Sequence, residues 1–204
     1  MPSPAHRMGE MQKVLCRLSP RRKATIIALW ILAILTGFAI LIDHDLRAGP
    51  AAAAVRRWPA SSSLVRSGSG PTIVMFIHPH CPCTAASLAQ LESIASDKAF
   101  KSAITYLVVA DVAENESGEN LDRARHIPGA SVQFDAQDSE VRRFGSRTSG
   151  ELLIFDENGR LTFEGGITAA RGHQGDNLAA SAALAALRGA NPNYVQMPVF
   201  GCAL

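Results

Sequence analysis

PTIVMFI, Pro71 to Ile77, runs through HPHCPC, His78 to Cys83, into TAASLAQLESIAS, Thr84 to Ser96. The first segment is an unbroken apolar, β-rich run, suited to a strand buried on both faces. The last places Leu88, Leu91, Ile94 and Ala95 on one face of a helix. Cys81 and Cys83 therefore fall where a buried strand turns into a helix. A sulfur at that point faces unpaired backbone N–H groups and the positive end of the helix dipole, both of which favour thiolate over thiol. Such positions pull a cysteine pKa well below about 8.5. Pro82 is tolerated because the first helical turn has no use for its missing N–H. A structural cysteine belongs inside the strand or on the apolar helix face, so this placement points to chemistry.

Downstream, Ile104–Ala110 reads as a second buried strand and 119–127 as helical. Ser131–Phe134 reads as a short strand, and 137–145 as a further helix. Leu152–Asp156 and Arg160–Glu164 flank Glu157-Asn158-Gly159, a hairpin signal with Asn-Gly at the turn. Asp176–Arg188 is an Ala/Leu-rich final helix, with Asp176-Asn177 as its cap. The order β-α-β-α-β-α-β-β-α predicts an α/β fold, a central sheet with helices on both faces. The domain is expected over 71–190. Residues 191–204 contain Pro192 and Pro198 and read as an extended tail carrying Cys202.

Upstream, Ala24 to Ile42 reads ATIIALWILAILTGFAILI, without a charge. Nineteen residues at helical rise span roughly 28 Å, close to the hydrocarbon thickness of a bilayer. Arg21-Arg22-Lys23 abuts one end, and Asp43 and Asp45 follow the other. The positive-inside rule then keeps residues 1–23 in the cytoplasm and exports the rest of the chain across the inner membrane, to the periplasmic side. The alternative is a signal peptide cleaved near Ala48–Ala54. Residues 43–70 hold Pro50, Pro59, Ser61–Ser63 and Ser67-Gly68-Ser69-Gly70, the composition of a linker. A net charge of +2 over 204 residues gives no reason to expect a nucleic-acid partner.

This topology sorts the four cysteines. Cys16 lies on the reducing side, where it reads as a bystander. Cys81, Cys83 and Cys202 share a disulfide-permissive compartment, and an odd number there leaves one thiol reactive or bound. Cys81 and Cys83 stand one proline apart, a spacing whose bridge is expected to be strained and hence oxidising. A redox-active disulfide is then the only cofactor required. The second reading is metal handling. His78, His80, Cys81 and Cys83 lie within six residues, and thiolates with imidazole suit Cu(I) or zinc, with His173 or Cys202 completing the set. That would make the chain a copper chaperone.

The segment Phe76-Ile77-His78-Pro79-His80-Cys81-Pro82-Cys83 resembles the active-site segment of thioredoxin-fold proteins. Phe144-Gly145-Ser146-Arg147, Leu152–Phe155, Asn158-Gly159 and the Gly165-Gly166 loop resemble the later half of that fold. HPHCPC, GGITAARGHQGDN and the terminal VFGCAL are together similar to membrane-anchored RedB-like proteins, relatives of the TlpA and ResA type of exported thioredoxin. The resemblance implies exchange with exported protein thiols or disulfides. It makes Cys81 the attacking thiolate, Cys83 its resolving partner and His80 a stabiliser of thiolate or proton shuttle. Cys202 becomes a second resolving thiol, with His173 within reach. The chain departs from the pattern at Gly150, where a cis-proline is expected, and at Met75, where thioredoxins bury an acid.

Overall fold

A computed structural model describes residues 19–50, 52, 55–111, 117–190 and 193–204; Cys16 lies outside them. The chain divides into two compact units, residues 1–44 and 45–204.

The first unit is dominated by helix α1, Pro20–Leu46, which buries none of its side chains. Ile31, Leu35, Phe38 and Trp30 are all exposed along it. It outruns the uncharged stretch at both ends, taking in Arg21, Arg22 and Lys23 at one and Asp43 and Asp45 at the other. Among the described residues it is the one helix long and apolar enough to cross a membrane. Apolar side chains facing outward all round have no place in water, so the helix fits a single-pass membrane anchor.

The second unit is built on six strands: β1 Thr72–Ile77, β2 Ile104–Ala110, β3 Ala130–Asp135, β4 Glu151–Phe155, β5 Leu161–Gly165 and β6 Val195–Gln196. They lie in the order β3-β2-β1-β4-β5-β6. β1 runs parallel to β2, and β2 to β3; β4 is antiparallel to both β1 and β5, and β6 runs parallel to β5. The helices are α2 Pro82–Ile94, α3 Lys98–Lys101, α4 Glu119–His126, α5 Ser139–Phe144 and α6 Leu178–Leu187. Every side chain of β1 is buried, because it is covered from both sides. On one face Ile73, Met75 and Ile77 join Leu88 and Leu91 of α2, Leu121 of α4 and Ala183 of α6. On the other Val74 and Phe76 pack with Phe144 of α5, Phe155 and Leu161. Parallel crossovers leading into an antiparallel hairpin, with helices on both faces, make a thioredoxin-like fold.

The hairpin closes where Asn-Gly predicts it, with the Asp156 carboxylate accepting from the N–H groups of Asn158 and Arg160. β3 alternates between exposed and covered side chains, as an edge strand should. Asn177, not Asp176, caps α6, its side chain accepting from the Ala180 N–H.

Two expectations are corrected. Residues 55–70 are not merely a linker. Trp58 packs edge-on against Phe144 and Phe155, at 5.1 and 5.2 Å between ring centres, and its N–H donates to the Gly159 carbonyl. Leu64 is buried, and Ser62 and Ser63 donate to the Glu140 carboxylate. Burial works against the charge on Glu140, but these donors and Arg143 hold its carboxyl below the usual range. Ser, Pro and Gly mimic a tether in composition, while two apolar anchors decide the outcome. Nor does the C-terminal segment trail free. β6 pairs with β5, the Met197 N–H donates to the Glu164 carbonyl, and Val199 is buried.

Candidate active site

Cys81 is the N-cap residue of α2, with φ −78° and ψ 117°, and the helix begins at Pro82. Its side chain is only 1% exposed. The loop that delivers it is held from two sides. Buried Asn120 of α4 donates its amide hydrogens to the carbonyls of Pro79, at 2.9 Å, and Cys81, at 3.0 Å. From the loop before β4, the Ser149 hydroxyl accepts from the His78 N–H at 2.8 Å and lies 2.7 Å from the Thr84 hydroxyl. The next residue, Gly150, donates its N–H to the Phe76 carbonyl at 2.7 Å. Gly150 has φ +90°, and a Cβ there would stand 2.7 Å from the Ser87 hydroxyl. The position compared with a cis-proline is thus a close approach of backbone to α2 that suits glycine alone.

The C-terminal segment comes back over this loop. Ser149 donates its N–H to the Cys202 carbonyl at 2.8 Å, Leu204 donates to the Arg147 carbonyl at 3.0 Å, and Thr148 and Ala203 form an antiparallel bridge. Arg171 Nη1 donates to the Gly201 carbonyl at 2.7 Å. A Cβ on Gly201 would overlap the Ser149 carbonyl, so the two chains approach as closely as glycine permits. This pairing sets Cys202 against Cys81, with the Cys202 N–H donating to Cys81 Sγ at 3.4 Å.

The three sulfurs are electrostatically unequal. Burial opposes ionisation of Cys81, yet hydrogen bonds from the side chain and N–H of Cys202 and from Thr84 outweigh it and bring the thiol from 9.0 down to about 7. Burial and the charge of Cys81 push Cys83 up, against a hydrogen bond from Arg171. Burial, its hydrogen bond to Cys81 and the charge there push Cys202 up to about 11. Near neutral pH this makes Cys81 the thiolate and leaves the other two as proton-bearing neighbours.

The histidines lie at the surface of the site. His80 is exposed, and its N–H donates to His78 Nδ1 at 3.2 Å, the two rings lying 5.8 Å apart. Thr84 and Cys202 supply hydrogen bonds that stabilise the Cys81 thiolate. His173 is exposed, with Nδ1 2.7 Å from the Arg171 carbonyl, and it is Arg171 of the Arg171-Gly172-His173 run that reaches the thiols. Among the described residues no three His, Cys, Asp or Glu side chains converge as a metal site.

Met75 leaves the first strand without an acid; the buried carboxyls of the described residues lie elsewhere, at Asp135, Glu140, Glu151 and Glu164. Burial pushes Glu151 up to about 7, despite hydrogen bonds from the Ser146 hydroxyl and the Arg147 N–H. Sequence reasoning missed Asn120, Thr84 and Ser149 because nothing in their local pattern marks them. Arg171 stood beside a residue that was singled out.

No protein-family model matches the chain, and no curated protein matches it. Solved structures do. A hypothetical protein of Sinorhizobium meliloti superposes with a TM-score of 0.59 at 20% identity, over 77% of this chain and 97% of that one. An uncharacterised protein of Geobacillus kaustophilus gives 0.55 at 22% identity, over 78% and 91%. The likeness is one of fold. A more distant one, with a TM-score of 0.42 at 19% identity over 60% and 86%, is to the exposed lipoprotein thioredoxin of Streptococcus pneumoniae.

Proposed function

We propose that the chain is a membrane-anchored thiol–disulfide oxidoreductase, kin to the RedB-like proteins, whose thioredoxin-like domain works outside the cytoplasm on exported protein thiols or disulfides. The observation that carries this reading is Cys81 itself. It is a thiol at a helix N-cap, lowered to about 7, with two further thiols beside it. In the exchange, the Cys81 thiolate attacks one sulfur of a partner disulfide, and the partner's other sulfur leaves as thiolate. A neighbouring thiol then attacks Cys81, freeing the partner and closing an internal disulfide. Cysteine sulfur carries both electrons, so the reaction needs no other cofactor. The arginine and lysine residues before the apolar stretch of α1 support a cytoplasmic N-terminus.

The test is turnover of a model disulfide by the full chain in detergent, with an added dithiol as reductant. Turnover should vanish in Cys81→Ser. Equal rates for parent and variant would overturn the assignment.

A further inference from the structure

Resting on that reading, we infer that Cys202, delivered by the C-terminal strand, is the thiol that resolves the mixed disulfide on Cys81. The geometry separates the two candidates. Both thiols stand beside the Cys81 sulfur, Cys83 through a side-chain hydrogen bond, but Cys83 follows the N-cap by only two residues and shares its turn. The turn between them is fixed by Pro82 and by the Thr84 N–H donating to the Cys81 carbonyl at 3.0 Å. A Cys81–Cys83 bridge would close a small ring across that fixed turn and is expected to be strained, whereas a bridge to a separate strand is free of that constraint. Cys202 already touches the Cys81 sulfur, from a strand seated by backbone hydrogen bonds to Arg147 and Ser149 and by Arg171 on Gly201.

The same strand covers Cys81, so a partner disulfide gains access when residues 201–204 lift. A segment held by a handful of hydrogen bonds is suited to that movement. Once the partner is bonded to Cys81, the strand returns with its thiol. Cys202 loses its proton and its sulfur attacks Cys81 Sγ. The Cys81–Cys202 bond forms as the bond from Cys81 to the partner breaks, and the leaving electron pair stays on the partner sulfur, which takes up a proton. The partner disulfide has been reduced by two electrons, and the Cys81–Cys202 pair has been oxidised by two. An exported dithiol must reduce it for a further cycle; run in reverse, the pair donates its disulfide. The order of steps is built into the electrostatics. The negative Cys81 sulfur helps keep Cys202 protonated, and that influence disappears once Cys81 is capped.

The test uses the full chain in detergent with Cys16→Ser, leaving three thiols. The reduced protein receives one equivalent of an aromatic disulfide whose thiolate is coloured. The parent and a Cys83→Ser derivative should each release two thiolates per chain, and peptide mapping of the oxidised parent should find Cys81 bonded to Cys202. A Cys202→Ser derivative should lengthen the life of the mixed disulfide at Cys81 by roughly tenfold or more. Mapping the parent alters neither Cys83 nor Cys202, so it reads the bond whether or not the variants fold. A Cys81–Cys83 bond in the parent, or a mixed disulfide trapped by Cys83→Ser and cleared normally by Cys202→Ser, overturns the inference and leaves the redox function standing. No release from the parent overturns the function itself.

Discussion

Thr84→Val removes one hydroxyl from the wall of the site and keeps the shape of the side chain. That hydroxyl lies 2.7 Å from the Ser149 hydroxyl and belongs to the group of donors that lower Cys81. Cys81 falls from 9.0 to about 7 against the effect of its burial, so the donors together lower it by more than the net change. Four contributions share the work, from the side chain and N–H of Cys202 and of Thr84. Losing a hydrogen bond worth on the order of 1 kcal/mol to the thiolate should cut its fraction at pH 6 by roughly fivefold. The assay is the rate of iodoacetamide capture at Cys81 as a function of pH, read by mass in the Cys16→Ser chain. The parent should show a midpoint near about 7 and the variant a midpoint displaced to higher pH. Above both midpoints the variant should react at least as fast, because a more basic thiolate is the better nucleophile. Coincident profiles, or a parent midpoint at the ordinary 9.0, would refute the assignment of Thr84 to the thiolate.

Other outcomes follow from the same geometry. Asn120→Ala strips a donor from two carbonyls of the buried loop and should cost about 1–3 kcal/mol in urea unfolding followed by tryptophan fluorescence, for which Trp58 is a reporter inside the domain. Gly150→Ala puts a Cβ against the Ser87 hydroxyl at a left-handed φ, so a loss of at least about 1–2 kcal/mol is expected in the same measurement. Glu151 is raised from 4.5 to about 7, so the folded state binds its proton more tightly than the unfolded chain. Its contribution is full below pH 4.5 and is lost as pH climbs through about 7. Stability should therefore decline from pH 5 to pH 8 by up to about 3 kcal/mol, and Glu151→Gln should flatten most of that slope. An equally steep decline in the variant would assign the effect to another group.

Much of the fold was legible because its elements are local. PTIVMFI announces a doubly covered strand, the Asn-Gly pair announces a hairpin, and the run of α1 is too long and too apolar for anything but a span or a signal. The placement of Cys81 and Cys83 was legible for the same reason, since a strand-to-helix junction is a property of neighbouring residues. What escaped depends on distant segments meeting. The sequence leaves Trp58 open between the membrane interface and the domain and sets Leu64 among serines and glycines, and only the apolar surface of Phe144 and Phe155 makes both part of the core. Asn120 reads as an ordinary helical asparagine until the carbonyls of Pro79 and Cys81 stand over it. Arg171 and His173 are neighbours in sequence, and the conformation of their loop alone decides which one reaches the thiols.

The strand lying over Cys81 bears on durability wherever the protein meets an oxidant. A sulfur that is thiolate near neutral pH is the form that peroxide converts to sulfenic acid, and then irreversibly to sulfinic and sulfonic acids. Here the most acidic of the three thiols is also the one sealed from solvent, at 1% exposure. Small oxidants are kept from it while the terminus is seated, and any sulfenic acid formed during an opening would meet Cys202 and condense to a reducible disulfide. On the proposed function, the strand that must lift for exchange is also a shield against overoxidation.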